Sequence, residues 1–533
     1  MDFEKIIEGL TLEELVGQAM CIGVNPAKLS FEDFEKKVIA MQPGGIFING
    51  SKDGQAQKYV DYANKHLKVP VVLTADIENG PHTPIVGGGN IPLQMGVGAT
   101  DDPELAEKAW EEIAKICRVN GYHWGFNPVV DLNINFRNPE CNTRALSDDP
   151  DHVIKMATGI LKGYRKNGMQ ACTLKHFPGQ GVDERNSHFV TANNPLSKRQ
   201  WMKTYGKVYK ELFKKGVDSV MIGHISLPAF ETEKDELGYL PATISKSLIT
   251  GLLKGKLGFK GVVISDALSM VGVATRYPID DLPLLFLQAG GDMVLFPHQE
   301  GYAKVVNAVK DGSLEIDRIK DAVRRILKLK ETLHLFEKDY FKDLKLDGNL
   351  QEIALKLAQK SVTKIRDINN LVPAKLKKGS KILMVNLIKP FFPTKLTGED
   401  FAPLKKELED NGMQVTSIDN IDYNHVNSIK NDYDMILINS KLSSDTYDGG
   451  SLRIDWEIVM TFWDGYIMDH PNVIFTSFGD PYEIFDVPYA KTYINAYSHF
   501  PETQIAVARA ILGKEKIVGK SPVEFKGFFD RQV

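Results

Sequence analysis

Eight short apolar runs, separated by longer amphipathic stretches, lie within the first 300 residues of the 533-residue chain: 19–24, 45–48, 71–75, 125–130, 172–176, 219–224, 261–265 and 292–296. Each spans only four to six residues, and each is rich in Val and Ile or bounded by Gly and Pro. Runs so short and so uniformly apolar suit strands buried on both faces, as in a parallel sheet. The stretches between them carry helical patterns, for example 103–120, 151–167, 198–215 and 245–257. Asp102 before Pro103 is an N-cap followed by proline at the first helical position, and Ser197 and Thr243 or Ser245 are similar caps. Strand–helix alternation repeated eight times predicts a (β/α)8 barrel, although other α/β arrangements share the pattern. Long loops are expected after the strands ending near Ala75, Val130 and His176, and 317–335 reads as a closing helix.

Further along, residues 337–380 are Lys-rich and read as a linker ending in a helix. A second α/β pattern follows, with strands expected at 382–387, 414–418, 435–439, 473–477 and 492–497. The expected plan is a barrel over 1–345, a linker over 346–380 and a smaller helix-wrapped parallel sheet over 381–533. Lys+Arg 65 against Asp+Glu 69 leaves a net charge of −4, so no global basic field invites nucleic acid or anionic lipid. With 43% apolar and 25% charged residues, disorder and a membrane bundle are poor readings. No stretch approaches the ~20 apolar residues of a membrane span. Cys21, Cys117, Cys141 and Cys172 form no CxxC pair and crowd into the first third, which favours free thiols in a reducing compartment. The segment MDFEKIIEGLTLEELVGQAM has acids where a signal peptide needs basic residues. The expected location is cytoplasmic.

Polar residues gather just after the apolar runs: Asp76, Asp131, Lys175, His176, His224 and Asp266. In a barrel these positions converge on the mouth at the C-terminal ends of the strands. Any one of them could be a satisfied strand-end residue; five or more at one rim are harder to dismiss. Asp266, behind GVVIS, is placed to act as nucleophile or charge stabiliser, with Met270 as an apolar wall or a plain core residue. In KHFPGQGVDERNSH, Lys175 offers donors and His176 a donor or acceptor to the polar groups of a ligand. The following loop carries His188, a candidate proton donor because imidazole titrates near neutrality; an exposed loop histidine is the plainer alternative. Gly96 and Gly98 lack the preceding strand and later glycine of a dinucleotide fingerprint. Lys375, Lys377 and Lys378 read as a solvated face.

These motifs together resemble glycoside hydrolase family 3, specifically its β-N-acetylglucosaminidase branch. The family's KHFPGxGxxxxDSH signature is matched by Lys175-His176-Phe177-Pro178-Gly179-Gln180-Gly181 and Asn186-Ser187-His188. Its GVVxSDxLxM motif is matched at 261–270, with Asp266. ADIENG (75–80), NPVVDLN (127–133), TRALSDDP (143–150), MIGHISLPA (221–229) and AGGDMVLFP (289–297) also match, and the similarity runs on into TSFGDPYEI and YINAYS. The resemblance implies a TIM barrel followed by an α/β sandwich domain. It implies Asp266 as nucleophile of a retaining double displacement and His188 as general acid/base, where the family's glucosidases use a glutamate of the second domain. Asp76, Arg144, Lys175 and His176 fall on positions that hold the sugar at the cleavage site. Arg144 suits that role as a bidentate donor. The expected substrate is a small carbohydrate or glycoconjugate, with no metal or organic cofactor.

The chain departs from the family in two places. The family's histidine is paired with an Asp two residues earlier, and here that residue is Asn186. An amide oxygen still orients the imidazole but brings no charge, so His188 is expected to be a weaker acid at neutral pH, unless Asp183 or Glu184 compensates. After Glu78 the segment NGPHTPI lacks the arginine often found there. The expected reaction is release of terminal β-linked N-acetylglucosamine. The alternatives are a β-glucosidase with an acid from the second domain, a phosphorylase, or a sugar-binding homologue weakened by Asn186. A metal-dependent amidohydrolase barrel would want an HxH pair, and none of the 12 histidines forms one.

Overall fold

The structure is a computed structural model that describes residues 1–52, 54–337, 340–341, 343–388, 400–419, 423–441 and 466–525. Its chain folds into two compact units: Met1–Gly89, Pro103–Leu132 and Val153–Leu350 form the first, and Asn90–Asp102, Asn133–His152 and Gln351–Val533 the second.

The first unit is built on eight parallel strands: β1 Met20–Val24, β2 Gly45–Ile48, β3 Val72–Ala75, β4 Trp124–Gly125, β5 Ala171–Phe177, β6 Ser219–Ile222, β7 Val262–Ser265 and β8 Val294–Leu295. They neighbour one another in chain order, β8 pairs with β1, and a parallel bridge from Ile264 to Met293 joins β7 to the start of β8. The sheet therefore closes into the expected barrel. Its interior is filled by Trp124, Phe126, Met221 and Ile264, with Ile326 and Leu329 of the closing helix Ile316–Thr332 packed on the same core. Buried Asp292, just before β8, accepts the Val263 N–H and pairs with Lys254 and Arg318, so one carboxylate fastens strand ends to the helical layer.

Local signals set the helices, with some differences from the simple pattern. Ser197 and Gln200 form a reciprocal capping box, as expected of a Ser N-cap. The helix that follows breaks at Thr204 (φ −109°, ψ −98°) into Lys198–Lys203 and Tyr205–Phe213. Ser245 Oγ accepts from Leu248 N at 3.0 Å and opens Ser247–Lys256, which winds as a π-helix. All four cysteines are free and buried. Among the described residues no helix is long and apolar enough to cross a membrane.

The second unit holds β9 Thr363–Asp367, β10 Lys381–Ile388, β11 Gln414–Asp419, β12 Met435–Lys441, β13 Val473–Ser477 and β14 Thr492–Asn495. The order is β11-β10-β12-β13-β14-β9, parallel except for β9, which runs antiparallel to β14. Leu383, Val385 and Leu387 enter one core while Ile382, Met384 and Ile388 enter another. That alternation is what a sheet covered on both faces requires. The segment 346–380, expected as a linker with a helix, holds the helix Leu350–Ser361 followed by the edge strand β9. The second unit also takes two excursions out of the barrel's stretch of sequence, including the buried helix Gln94–Ala99, whose Met95 and Ala99 join its core.

Candidate active site

The barrel strands deliver their polar residues to one end. Lys175, near the end of β5, has a buried side chain whose Nζ lies 3.0 Å from Asp76 Oδ1 and 2.6 Å from Glu78 Oε1. Asp76, just after β3, is also held by Asn49, which follows β2: Asn49 Nδ2 donates to its carboxylate and Asn49 Oδ1 accepts its N–H, both at 3.3 Å. The neighbouring His176 uses Nδ1 on Asp131 Oδ2 at 2.8 Å, and its backbone N–H donates to the same oxygen at 3.0 Å. The other oxygen of buried Asp131 accepts Gln180 N–H at 2.7 Å. In a regular strand adjacent side chains point to opposite faces. The β5–β6 register shifts between Leu174 and Phe177, and this irregularity lets Lys175 and His176 both serve carboxylates that follow strand ends.

Asp266 follows β7. Its N–H donates to Ile222 O at 2.9 Å, and its Oδ1 accepts Ala267 N–H at 2.7 Å. Burial pushes its carboxyl upward, but the charges of His176, His224 and His188 and the Ala267 N–H outweigh that and hold it below the ordinary Asp value. The three histidines are thus gathered around one ionised carboxylate. His224 is fully buried; its Nδ1 is 2.7 Å from Thr243 Oγ1 and its Nε2 3.0 Å from Ala267 O, so it braces the turn that presents Asp266.

His188 sits on the loop after β5. Asn186 Oδ1 accepts both its backbone N–H at 2.9 Å and its ring Nδ1 at 2.8 Å. A backbone N–H only donates, which identifies Oδ1 as the amide oxygen and assigns the Nδ1 proton to the imidazole. Gln180 Nε2 donates to Ser187 Oγ at 2.8 Å, and Thr191 Oγ1 to Gly272 O at 2.7 Å. The loop is therefore tied at one end to the Asp131–His176 pair and at the other to the segment beyond Asp266. Asp183, a possible stand-in for the missing carboxylate, binds Arg185 through both oxygens and accepts Asn193 N–H at 2.6 Å.

Two expected site residues differ from this group. Arg144 belongs to the second unit, in the turn Asn142–Arg144, with Nη1 3.5 Å from Glu140 O. Met270 is half-buried and caps the short helix Val271–Ala274, its N–H donating to Ala267 O at 3.0 Å. Conversely, Glu78, Asn49, Gln180 and Thr243 have positions in the site that the sequence reading did not assign. Only Glu78 had a usable signal, since an Asp-x-Glu just past a strand places two carboxylates on one side. Among the described residues no group of three or more His, Cys, Asp or Glu is arranged to hold a metal.

Enzymes that work at the anomeric carbon of a sugar need an ionised carboxylate and a proton carrier of this kind. Residues 11–329 match the family model described as glycosyl hydrolase family 3 N terminal domain, and the chain belongs to that family, as an enzyme of the glycosidase class. A beta-N-acetylglucosaminidase/beta-glucosidase of Cellulomonas fimi is 28% identical over 550 residues, 97% of this chain and 94% of its own. A beta-hexosaminidase of Stenotrophomonas maltophilia (strain K279a) is 33% identical over 238 residues, 43% of this chain and 67% of its own. Among solved structures, a beta-glucoside phosphorylase superposes with TM-score 0.88 at 27% identity over 98% of this chain and 96% of its own. A family 3 β-N-acetylglucosaminidase from Paenibacillus sp. str. FPU-7 does so with TM-score 0.84 at 25% identity, over 98% of this chain and 100% of its own.

Proposed function

We propose that this chain releases terminal β-linked N-acetylglucosamine from a small glycan or glycoconjugate with retention of configuration. The observation that carries the reading is Asp266, held ionised among His176, His224 and His188. Its free oxygen attacks C1 while His188, anchored through Nδ1 on Asn186, protonates the leaving oxygen from Nε2. The covalent glycosyl-aspartate then yields to water, with His188 acting as base. Lys175, His176 and Asp76 hold sugar hydroxyls, and Met270 supplies an apolar wall. Arg144 contributes donors, a role that rests on its place in TRALSDDP. The double displacement calls for neither metal nor organic cofactor. Names of relatives support the sugar: the Cellulomonas fimi protein is a beta-N-acetylglucosaminidase/beta-glucosidase.

A second reading is phosphorolysis, favoured by the likeness to a beta-glucoside phosphorylase and by Asn186. An amide beside the proton carrier repels an attacking phosphate less than a carboxylate would. The test is turnover of aryl β-N-acetylglucosaminide and aryl β-glucoside, with and without phosphate, following the first-formed anomer by NMR. The β-anomer of free N-acetylglucosamine is expected. A sugar 1-phosphate as main product selects phosphorolysis, and preference for the glucoside reassigns the sugar. Asp266→Ala should lower turnover by at least about 10⁴-fold; an active, folded Asp266→Ala protein would remove the nucleophile from the scheme.

A further inference from the structure

A cavity of about 470 Å3 opens beside Asn49, within the usual size range of small-ligand sites. Its walls come mostly from the C-terminal ends of β8, β1 and β2, with Ser269 from the turn after β7, whereas Asp76, Asp131, His176, His224 and Asp266 come from β3 to β7. The cavity thus occupies the remaining arc of the barrel mouth, between Asp266 and Asp76. Asn49 belongs to both, lining the cavity and bonding Asp76. Phe296 (φ +58°) forms an apolar wall, edge-on to Phe47 with ring centroids 5.0 Å apart. It lies so close to Gly23 that a Cβ there would be 2.7 Å from the ring.

Lys37, on the helix Phe31–Met41, also lines this cavity. Among the described residues its ammonium makes no hydrogen bond and no ion pair, and no carboxylate lines the cavity. Burial depresses its pKa, with no neighbouring acid acting to restore it. His298, by contrast, has an acidic neighbour: its Nδ1 is 3.3 Å from Asp280 Oδ1. A half-buried cation without a partner is costly, and an anion that reaches it gains a charge-assisted bond in a partly desolvated place.

In the proposed reaction, with C1 over Asp266 and the sugar held by Asp76, Lys175 and His176, the substituents at C2, C3 and C4 would meet the donors and acceptors of β3 to β5. The opposite edge, with the ring oxygen and the exocyclic C6 arm, would then be left for the arc from β8 to β2.

Resting on the glycosidase reading, we propose that Lys37 and its cavity form a subsite for an anionic group, phosphate monoester or carboxylate, carried at C6 of the sugar being cleaved. The test is competitive inhibition by N-acetylglucosamine, N-acetylglucosamine 6-phosphate, glucose, glucose 6-phosphate, glucuronic acid and inorganic phosphate, on wild type and Lys37→Met. At least one C6 anion is expected to bind roughly tenfold or more tightly than its neutral parent. That advantage should vanish in Lys37→Met, with neutral-sugar inhibition unchanged, and whether phosphate or carboxylate gains more identifies the group. Equal inhibition by neutral and anionic sugars, or an advantage that survives Lys37→Met, overturns the subsite and leaves the glycosidase reading standing. Inorganic phosphate competing as well as the sugar phosphates also overturns it, because the anion would then bind untethered. Failure of every sugar to bind removes both readings.

Discussion

The hydrogen bond between Asn186 and His188 stands where the sequence resemblance implies an Asp–His pair. The amide oxygen lies 2.8 Å from Nδ1 and also takes the His188 N–H, so the imidazole is oriented as firmly as a carboxylate would orient it. What the amide omits is charge. Asn186→Asp should therefore keep the geometry and stabilise the imidazolium, moving the alkaline limb of the kcat/KM profile up by roughly 1–2 pH units. An unmoved limb would mean that His188 is not the titrating acid. His188→Ala should cost about 10²–10⁴-fold on poor leaving groups and far less on a nitrophenyl leaving group, which departs without a proton; the slope of rate against leaving-group pKa reads this directly. Much of this site was legible because strand-end position alone selects Asp76, Lys175, His176 and Asp266. Asn49 and Thr243 were not legible. Their importance is only that they touch Asp76 and His224, and nothing in their own sequence neighbourhood encodes that contact. Arg144 shows the converse, since its sequence neighbours the barrel strands while its fold belongs to the second unit.

One tight approach in the loop from Phe177 to His188 is at Gly179. Gly179 has φ +118°, and a Cβ there would lie 2.2 Å from Tyr205 Cδ1. The Tyr205 hydroxyl in turn donates to Gln180 O, and Gln180 links Asp131 to Ser187. Gly179→Ala should then act twice, through backbone strain and through displacement of Tyr205. A loss of about 2–4 kcal/mol is expected from denaturant unfolding, with a fall in kcat as His188 drifts. Adding Tyr205→Leu should relieve the collision but not the strain, recovering part of the stability; full recovery would place the whole cost in the collision. Among elements, the barrel strands, β10 and β12 to β14 announced themselves because both their faces are buried, whereas β11, at one sheet edge, is largely exposed. By contrast, β9 reads TKIRD, half-buried at the sheet edge, and carries too many charges for that signature. The segments 90–102 and 133–152 are equally silent. Short buried pieces choose a unit by tertiary packing, as Met95 and Ala99 do, and not by local propensity.

Each of the two units buries an ionisable group, and the two respond to pH in opposite senses. In the barrel unit, Lys330 is fully buried with Nζ 2.7 Å from Gln18 Oε1, and burial lowers its pKa from 10.5 to about 7. Between pH 7 and 10.5 the unfolded chain holds this proton and the folded chain does not, so stability rises with pH across that window, by about 1.4 kcal/mol per unit. In the second unit, Glu483 is fully buried, and burial together with the charge of Asp480 raises its carboxyl well above 4.5. Above pH 4.5 the folded state keeps a proton that the unfolded chain has released, so this contribution falls as pH rises toward the folded pKa. Two substitutions separate the effects. Lys330→Met should stabilise the barrel unit most at and below pH 7, by a few kcal/mol less the roughly 1–3 kcal/mol of leaving Gln18 without its donor. Glu483→Gln should stabilise the second unit increasingly above pH 5. Hydrogen exchange read on peptides from each unit at pH 6 and pH 9 checks both, because each change should appear in its own unit and with its own sign. Equal or faster exchange of the barrel peptides in Lys330→Met at both pH 6 and pH 9 would instead place a charged, well-compensated ammonium in the barrel core.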